Sequence, residues 1–476
     1  MPGRRRTGKI PFGQFFAYGV GGWANQVFDS GIGNLAFYVF NIGLGVDPFL
    51  VGLAQSLARG VDLVTDPLAG YLSDALRPRF GLRAFIACGS VAGGLAFALV
   101  WLFPFGWTPA AYFVWLLVCF AVCSAAWSVF SVPRYALGFE LTADPHERNK
   151  LMTFSAFMMT LCNLGLAWSY RIIQWRVFGT PLRGARWVGG AMGAAIIVFG
   201  LVSVAVRRRR RPVPAAPTPA GGHPGAGLKD FFRSIRGVLR SRPFAVLAGS
   251  VALTLFGVIG TYAVGPYLLI YYVCGGDQKR GAEWIAYCST SWILSGIVLA
   301  PVVLWLSRRI GKRNTMLAFL GLAFASSFVR WLFYNPAHPW IALVPFGCFG
   351  AGIGGLAAMA PSMTADICDW EEYSTGRRQG GLFSAFYSWT LKVGMTTGFA
   401  IAGLLLDLTG FHAGAKGAMP TAAMILRMRA VDSAFPAVIL GAALLLLRRY
   451  RITPETMLEV RVALESRRGF TAPAES

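Results

Sequence analysis

The sequence predicts an all-α membrane protein whose twelve transmembrane helices form two six-helix bundles. Three observations carry that expectation. Only 14% of the residues are charged and 55% are hydrophobic, whereas a soluble domain carries about 25% charged residues. Apolar runs near the roughly twenty residues that a helix needs to cross ~30 Å of hydrocarbon recur along the chain. Basic clusters at 4–6, 77–83, 207–211, 308–313, 377–378 and 448–451 follow every second run, the pattern of loops held on the cytoplasmic side.

The runs fall at 14–40, 48–74, 84–105, 109–132, 151–173, 186–206, 244–273, 284–307, 314–334, 338–365, 380–408 and 431–449. Residues 1–13 are a cytosolic N-terminus that leads straight into a full-length span, without the short apolar core and cleavage site of a signal peptide. Residues 14–206 make the first bundle and 244–449 the second. The linker between them, 207–243, opens with RRRRRPVPAAPTPAGGHPGAG, too poor in large apolar groups to pack. It closes on a short amphipathic helix with Leu228, Phe231, Phe232, Ile235 and Leu239 on one side. Residues 450–476 form a cytosolic tail whose helix starts at Thr453 and Pro454, a capping residue followed by proline at the first helical position. Both termini lie in the cytosol and the protein sits in the cytoplasmic membrane.

A formal charge of +23 points to nucleic acid in a soluble protein. Here the charge flanks apolar spans, so it sets topology, and acidic membrane lipids replace nucleic acid as the expected neighbours. One outward loop, 171–187, disagrees by carrying Arg171, Arg176, Arg183 and Arg186. It is either an exception to a statistical rule or an attractor of anionic solutes. The cysteines have no metal-type spacing. Cys274 and Cys288 flank one outward loop and are either disulfide partners or two unrelated small apolar residues. The four histidines are scattered, and HExxH, a Walker lysine and GxSxG are absent, so neither an enzyme nor an organic cofactor is expected.

GYLSDALRPRFGLR (70–83) and LSRRIGKRN (306–314) are both short basic turns with a glycine shortly before Arg or Lys-Arg. Equivalent loops in equivalent places are the mark of parallel six-helix repeats, and they imply a two-bundle transporter.

Charge within the spans is sparse: Asp29, Arg59, Asp62, Asp66, Arg134, Arg330 and Lys392. Each costs at least ~2.5–3.5 kcal/mol at a helix centre, so such residues mark a pathway. Arg59, Asp62 and Asp66 share one face of the second helix. Two ionised carboxylates four residues apart repel, and a proton on one or a cation between them relieves the repulsion. Asp62 and Asp66 are therefore the candidate site for Na⁺ or H⁺, acting as metal ligands in the Na⁺ case. The alternative has Arg59 neutralising Asp62 in a static network.

Trp23, Gln26 and Asp29 line up along the first helix as solute-site candidates, with Asp29 equally suited to a helix–helix contact. Arg134, beside Tyr135 on the fourth helix, joins Lys392 of the second bundle as a positive charge for an acidic solute. Otherwise Arg134 pairs with Asp62, Asp66 or Asp29. Gating is assigned to Asp74, Arg77 and Arg83, together with Arg59, because charge contacts at helix ends can change between states. Asp366, Asp369 and Arg377, with Glu371, Glu372 and Arg378 nearby, take the corresponding part in the second half.

The turn Gly70–Asp74–Arg77–Gly81–Arg83 resembles the signature loop of the major facilitator superfamily. DLVTDPLAG (62–70), VPRYALGFELTADPHERNKL (132–151) and ADICDWEEYSTGRRQGGLFSAFYSWTLKVG (365–394) are similar to motifs of the glycoside–pentoside–hexuronide:cation symporters, the family of melibiose permease. The resemblance implies the major facilitator fold and symport by alternating access, in which Na⁺, H⁺ or Li⁺ carries in a small sugar-like solute through a monomer. It also implies that Asp62 and Asp66 hold the cation and that Lys392 stands near both sites. Other positions depart from the family. Its sugar-binding aspartate falls on Gln26, a third acid on Ser131, a sugar-binding arginine on Ala156 and a stacking tryptophan on Tyr135. Those departures open a second expectation, an acidic sugar, an organic anion or a lysolipid-like amphiphile.

Overall fold

The computed structural model of the chain describes residues 10–141, 145–205, 241–376, 380–411 and 419–467. Among them the regular structure is helical: α1 (Phe12–Ala36), α2 (Pro48–Ala75), α3 (Arg77–Trp101), α4 (Pro109–Glu140), α5 (Pro145–Leu166), α6 (Ser169–Ile173), α7 (Pro181–Val204), α8 (Arg242–Gly260), α9 (Val264–Tyr267), α10 (Gln278–Phe333), α11 (Leu343–Thr375), α12 (Gly380–Leu408), α13 (Ala422–Leu447) and α14 (Pro454–Arg467). Prolines start α2 and α7, where a missing N–H costs nothing, and Asp47 and Thr180 cap those ends through their side chains.

Nine helical stretches among the described residues are long and apolar enough to cross a membrane. The longest, α10, has 56 residues but is broken at Gly311, and therefore supplies two passes. α1 and α2 fall outside the nine, and α2 owes this to the charges that make it interesting. With those two helices the count reaches the predicted twelve.

The repeat read from the two basic turns has a backbone counterpart. Gly81 adopts φ 70°, ψ 161° and Gly311 adopts φ 81°, ψ 161°, a conformation that only glycine enters without strain. The same break thus reverses the chain at both loops.

Several predicted boundaries move. α5 stops at Leu166 and resumes as α6, and the run predicted at 244–273 breaks after Gly260 before α9 and a π-helical turn at 268–273. α13 starts at Ala422, nine residues before the predicted 431. Charged residues hid that first stretch, and the inner one, like the acid that follows it, has a partner. Arg429 donates to the Trp331 carbonyl and lies 4.7 Å from the centre of its ring, while Asp432 faces Arg330.

The contacts define two compact units: one of Met1–Pro214, Leu269–Thr290 and Phe399–Met424, the other of Ala215–Leu268, Ser291–Gly398 and Ile425–Ser476. In the first, α3 packs on α4 and α7, α2 on α4, and α1 on α5 and α7. Two segments that the sequence places in its second bundle thus group with the first unit. One reason is a close crossing: a Cβ on Gly52 would stand 2.6 Å from the Phe399 carbonyl, and one on Gly403 would stand 2.3 Å from that of Pro48. These are backbone atoms, which cannot rotate away. Gly52→Val is expected to cost about 1–3 kcal/mol, read as an earlier unfolding midpoint in detergent. Gly13→Val, where nothing lies within 4 Å, should leave the midpoint in place.

Two of the four arginines of the outward loop are also explained. Arg171 pairs with Glu283 at 2.8 Å, and Arg186 donates to the Phe103 carbonyl while lying 3.8 Å from the centre of the Phe105 ring. Both are engaged within the first unit, while Arg176 and Arg183 are exposed. In the second unit, α14 packs on α11 and buries Met457, Val460 and Leu464 in the core. All eight cysteines are unbridged, so the Cys274–Cys288 disulfide does not form. The amphipathic helix expected at 228–239, and Arg377 and Arg378, lie outside the described residues.

Candidate cation and solute site

The polar face of α2 runs Gln55, Arg59, Asp62, Asp66, at spacings that keep all four on one side. Asp62 is 2% exposed and Asp66 is half-buried. The Ser128 hydroxyl of α4 donates to Asp66 Oδ1 at 2.6 Å, and Thr65 Oγ1 lies 2.8 Å from Ser128 Oγ. Pro67 follows directly and has no N–H, so the Leu63 carbonyl one turn back loses its helical donor. The neighbourhood of the two acids is therefore rich in oxygen: two carboxylates, two hydroxyls and a released carbonyl. Such donors suit a hard cation. Among the described residues no group of three His, Cys, Asp or Glu side chains comes together. The position where a third acid was sought, Ser131, is a buried hydroxyl.

Arg59 does not neutralise Asp62 by an ion pair, as the spacing along α2 suggested. It reaches α1 instead, donating from Nη1 to Asp29 Oδ1 at 2.9 Å and from Nη2 to the Asp29 carbonyl. Its guanidinium also lies 5.8 Å from the centre of the Phe120 ring and 5.6 Å from that of Trp127. Aromatic faces favour a cation there, and Trp127 is itself fixed by donating to Asn25 Oδ1 at 3.0 Å. Asp29 thus serves a helix–helix contact, the second of the two roles open to it.

Arg134 is fully enclosed. Its Nη2 donates to the Tyr18 carbonyl at 2.9 Å and to Ser155 Oγ at 2.8 Å, and the guanidinium lies 4.5 Å from the centre of the Tyr18 ring. Gly21 makes this burial feasible, since a Cβ there would lie 2.9 Å from Arg134 Nε. Among the described residues no carboxylate pairs with Arg134, so the expected pairing with Asp62, Asp66 or Asp29 is not formed. Tyr135, the next residue, is 40% exposed, with the Arg134 guanidinium 5.7 Å from the centre of its ring. Gln26 is half-buried and donates to Ser30 Oγ at 2.8 Å, and Trp23 packs edge-on against Phe199. Trp23, Gln26, Asp29, Arg134 and Tyr135 all belong to the first unit; Lys392, half-buried, belongs to the second.

The gating candidates divide. Asp366 pairs with Lys312 at 2.6 Å, whereas Asp74 is exposed and makes no ion pair among the described residues. Arg77 and Arg83 are half-buried, as is Asp369. Sequence reasoning missed Thr65, Ser128 and Asn25, since Ser, Thr and Asn give no signal in a helix until a partner is known. It also missed Asp432, a buried acid read as lying at the very start of its span.

Residues 17–454 match the family described as MFS/sugar transport protein. The chain is 23% identical over 416 residues to the "Putative glycoside/cation symporter YagG" of Escherichia coli (strain K12), covering 85% of this chain and 84% of that protein. It is also 23% identical over 430 residues to the "Glucuronide carrier protein homolog" of the same organism, covering 87% and 86%. Among solved structures, a D-xylose-proton symporter superposes with a TM-score of 0.65 at 14% identity, over 94% of this chain and 98% of that one. With the match running over nearly its whole length, the chain belongs to the MFS/sugar transport protein family and is a multi-pass membrane transporter with the major facilitator fold, not an enzyme.

Proposed function

We propose that the protein is a Na⁺-coupled symporter of a glycoside-like solute, with the cation held by Asp62 and Asp66. The observation that carries this reading is the oxygen cluster on α2 and α4. A proton needs one carboxylate, whereas the hydroxyls of Thr65 and Ser128 beside two acids supply the several oxygen ligands that an alkali cation takes. The exposed ring of Tyr135, on the helix that carries Ser128, gives a sugar a stacking face. Gln26 and Trp23 on α1 supply polar and apolar contacts. In the proposed topology the termini face the cytosol, residues 14–206 and 244–449 form the two bundles, and the protein works as a monomer.

Binding of Na⁺ removes the repulsion between the two acids, and release restores it. Coupling follows because the two protein states then differ in energy with and without the ion. Uptake of a labelled β-glycoside into proteoliposomes is expected under an inward Na⁺ gradient at equal pH on both sides. Uptake driven only by a pH gradient would overturn the choice of ion. Ser128→Ala should weaken Na⁺ activation by about tenfold, the ~1.5 kcal/mol of one hydrogen bond to a charged group.

A second reading concerns the solute. Arg134 carries a positive charge that no described carboxylate offsets, and, enclosed beside Tyr135, it acts on a solute there through its field and not by contact. This favours an acidic sugar over a neutral one. Competition by a uronate that is stronger than by its neutral parent sugar, and is lost in Arg134→Gln, is the expected sign.

A further inference from the structure

The second unit holds a cavity separate from the cation and solute site. It has a volume of about 540 Å³ and lies between the turn 307–314 and the start of α14. Arg308, Arg309, Lys312 and Arg313 all line it, against the two carboxylates of Asp366 and Glu455. Asp366 occupies one donor of Lys312 at 2.6 Å and the Ser362 carbonyl a second at 3.4 Å, which leaves the ammonium one more. Arg313 donates to the Arg448 carbonyl, and the exposed Arg308 and Arg309 meet no carboxylate among the described residues. Loop charge that only sets topology needs no cavity. Here α14 closes one: Pro454 lies against Gly311, where a Cβ would come within 2.9 Å of it.

We propose that this cavity binds a phosphate group, supplied by the headgroup of an anionic phospholipid. Four basic residues against two carboxylates leave this space with an excess of positive charge, and a phosphate in it turns that cost into charge-assisted hydrogen bonds. The volume lies in the range of small-ligand sites, about 300–1,000 Å³. The lipid source follows from what adjoins the cavity. Trp305 is 57% exposed, with the Arg309 guanidinium 5.4 Å from the centre of its ring. Tryptophan with an arginine above it is typical of the headgroup level of a bilayer. Leu304, Ile310 and Leu458 are exposed beside it and offer apolar surface to acyl chains. The positive-inside pattern puts this face on the cytosolic leaflet, where anionic lipids are found.

The test uses the purified full-length protein in detergent, titrated separately with dioleoylphosphatidylglycerol, dioleoylphosphatidylcholine and inorganic phosphate while thermal unfolding is followed. Phosphatidylglycerol is expected to raise the midpoint saturably and phosphatidylcholine to leave it unchanged. Arg308→Gln/Arg309→Gln changes exposed side chains only, and half-saturation should weaken by about fivefold for each arginine removed. Lys312→Gln should weaken it as well, while Arg176→Gln/Arg183→Gln, on the outward loop, should not. A saturable shift from inorganic phosphate alone, lost in the same variants, would keep the phosphate site and replace the lipid by a soluble source. The proposal is overturned if neither phosphate source shifts the midpoint, or if the shift is the same in Arg308→Gln/Arg309→Gln as in the wild type.

Discussion

Asp66→Asn is expected to raise the Na⁺ concentration that half-saturates uptake by about 100-fold, because losing one partner of a desolvated charge contact costs about 2–5 kcal/mol. Asp66 already accepts from Ser128 at 2.6 Å, so an amide at that position can rotate to keep a hydrogen bond and the fold should survive. What it cannot restore is the negative charge. Asp62→Asn should have a comparable effect, since Asp62 is the more enclosed of the two at 2% exposure. Both variants also lose the repulsion that empties the site. Exchange of solute across the membrane should therefore persist, while accumulation against a gradient collapses. Initial rates of uptake at a series of Na⁺ concentrations, alongside solute exchange at equilibrium, separate these two effects. A Na⁺ dependence equal to the wild type in both variants would place the ion elsewhere.

The site was legible in the sequence where charge sits in an apolar run, because burial is costly enough that few residues are candidates. Asp62, Asp66, Arg59, Asp29 and Arg134 were all singled out on that ground. Their partners were not legible. Spacing along one helix shows who shares a face, and it led Arg59 to Asp62. The guanidinium instead crosses to Asp29, 30 residues earlier, which only the tertiary structure could show. Arg134 was offered three acids and takes none. Its burial depends on a glycine of α1 and a serine of α5, and neither draws attention in a membrane helix. The repeat was legible down to the backbone, since Gly81 and Gly311 share one unusual conformation. The first turns of α13 were not, because Arg429, a charge that read as loop, is held against Trp331. The same holds for α14: it reads as a helix of a cytosolic tail, and the structure places Met457, Val460 and Leu464 in the core.

Asp432→Ala is expected to cost the protein about 3–5 kcal/mol of stability, the penalty for leaving one member of a buried pair uncompensated. Asp432 is fully buried and Arg330 is 4% exposed, with Arg330 Nη1 3.5 Å from Asp432 Oδ1. Tyr334 donates to the other carboxylate oxygen at 3.0 Å, and the guanidinium lies 4.7 Å and 4.2 Å from the centres of the Phe346 and Phe349 rings. Once the carboxylate is gone, the aromatic faces alone offset the charge, at about 0.5–2 kcal/mol, less than the loss. The Arg59–Asp29 pair should respond more weakly, because the Asp29 side chain is 30% exposed and water can approach an arginine left behind. A double replacement distinguishes a lost pair from a lost shape. Arg330→Met/Asp432→Leu removes both charges and keeps apolar volume, and it should recover most of the unfolding midpoint that Asp432→Ala loses. Equal destabilisation in the single and double variants would mean that the pair is not the source of the loss. Full recovery combined with unchanged Na⁺-driven uptake would assign Arg330 and Asp432 to the frame of the second unit, leaving coupling to Asp62 and Asp66.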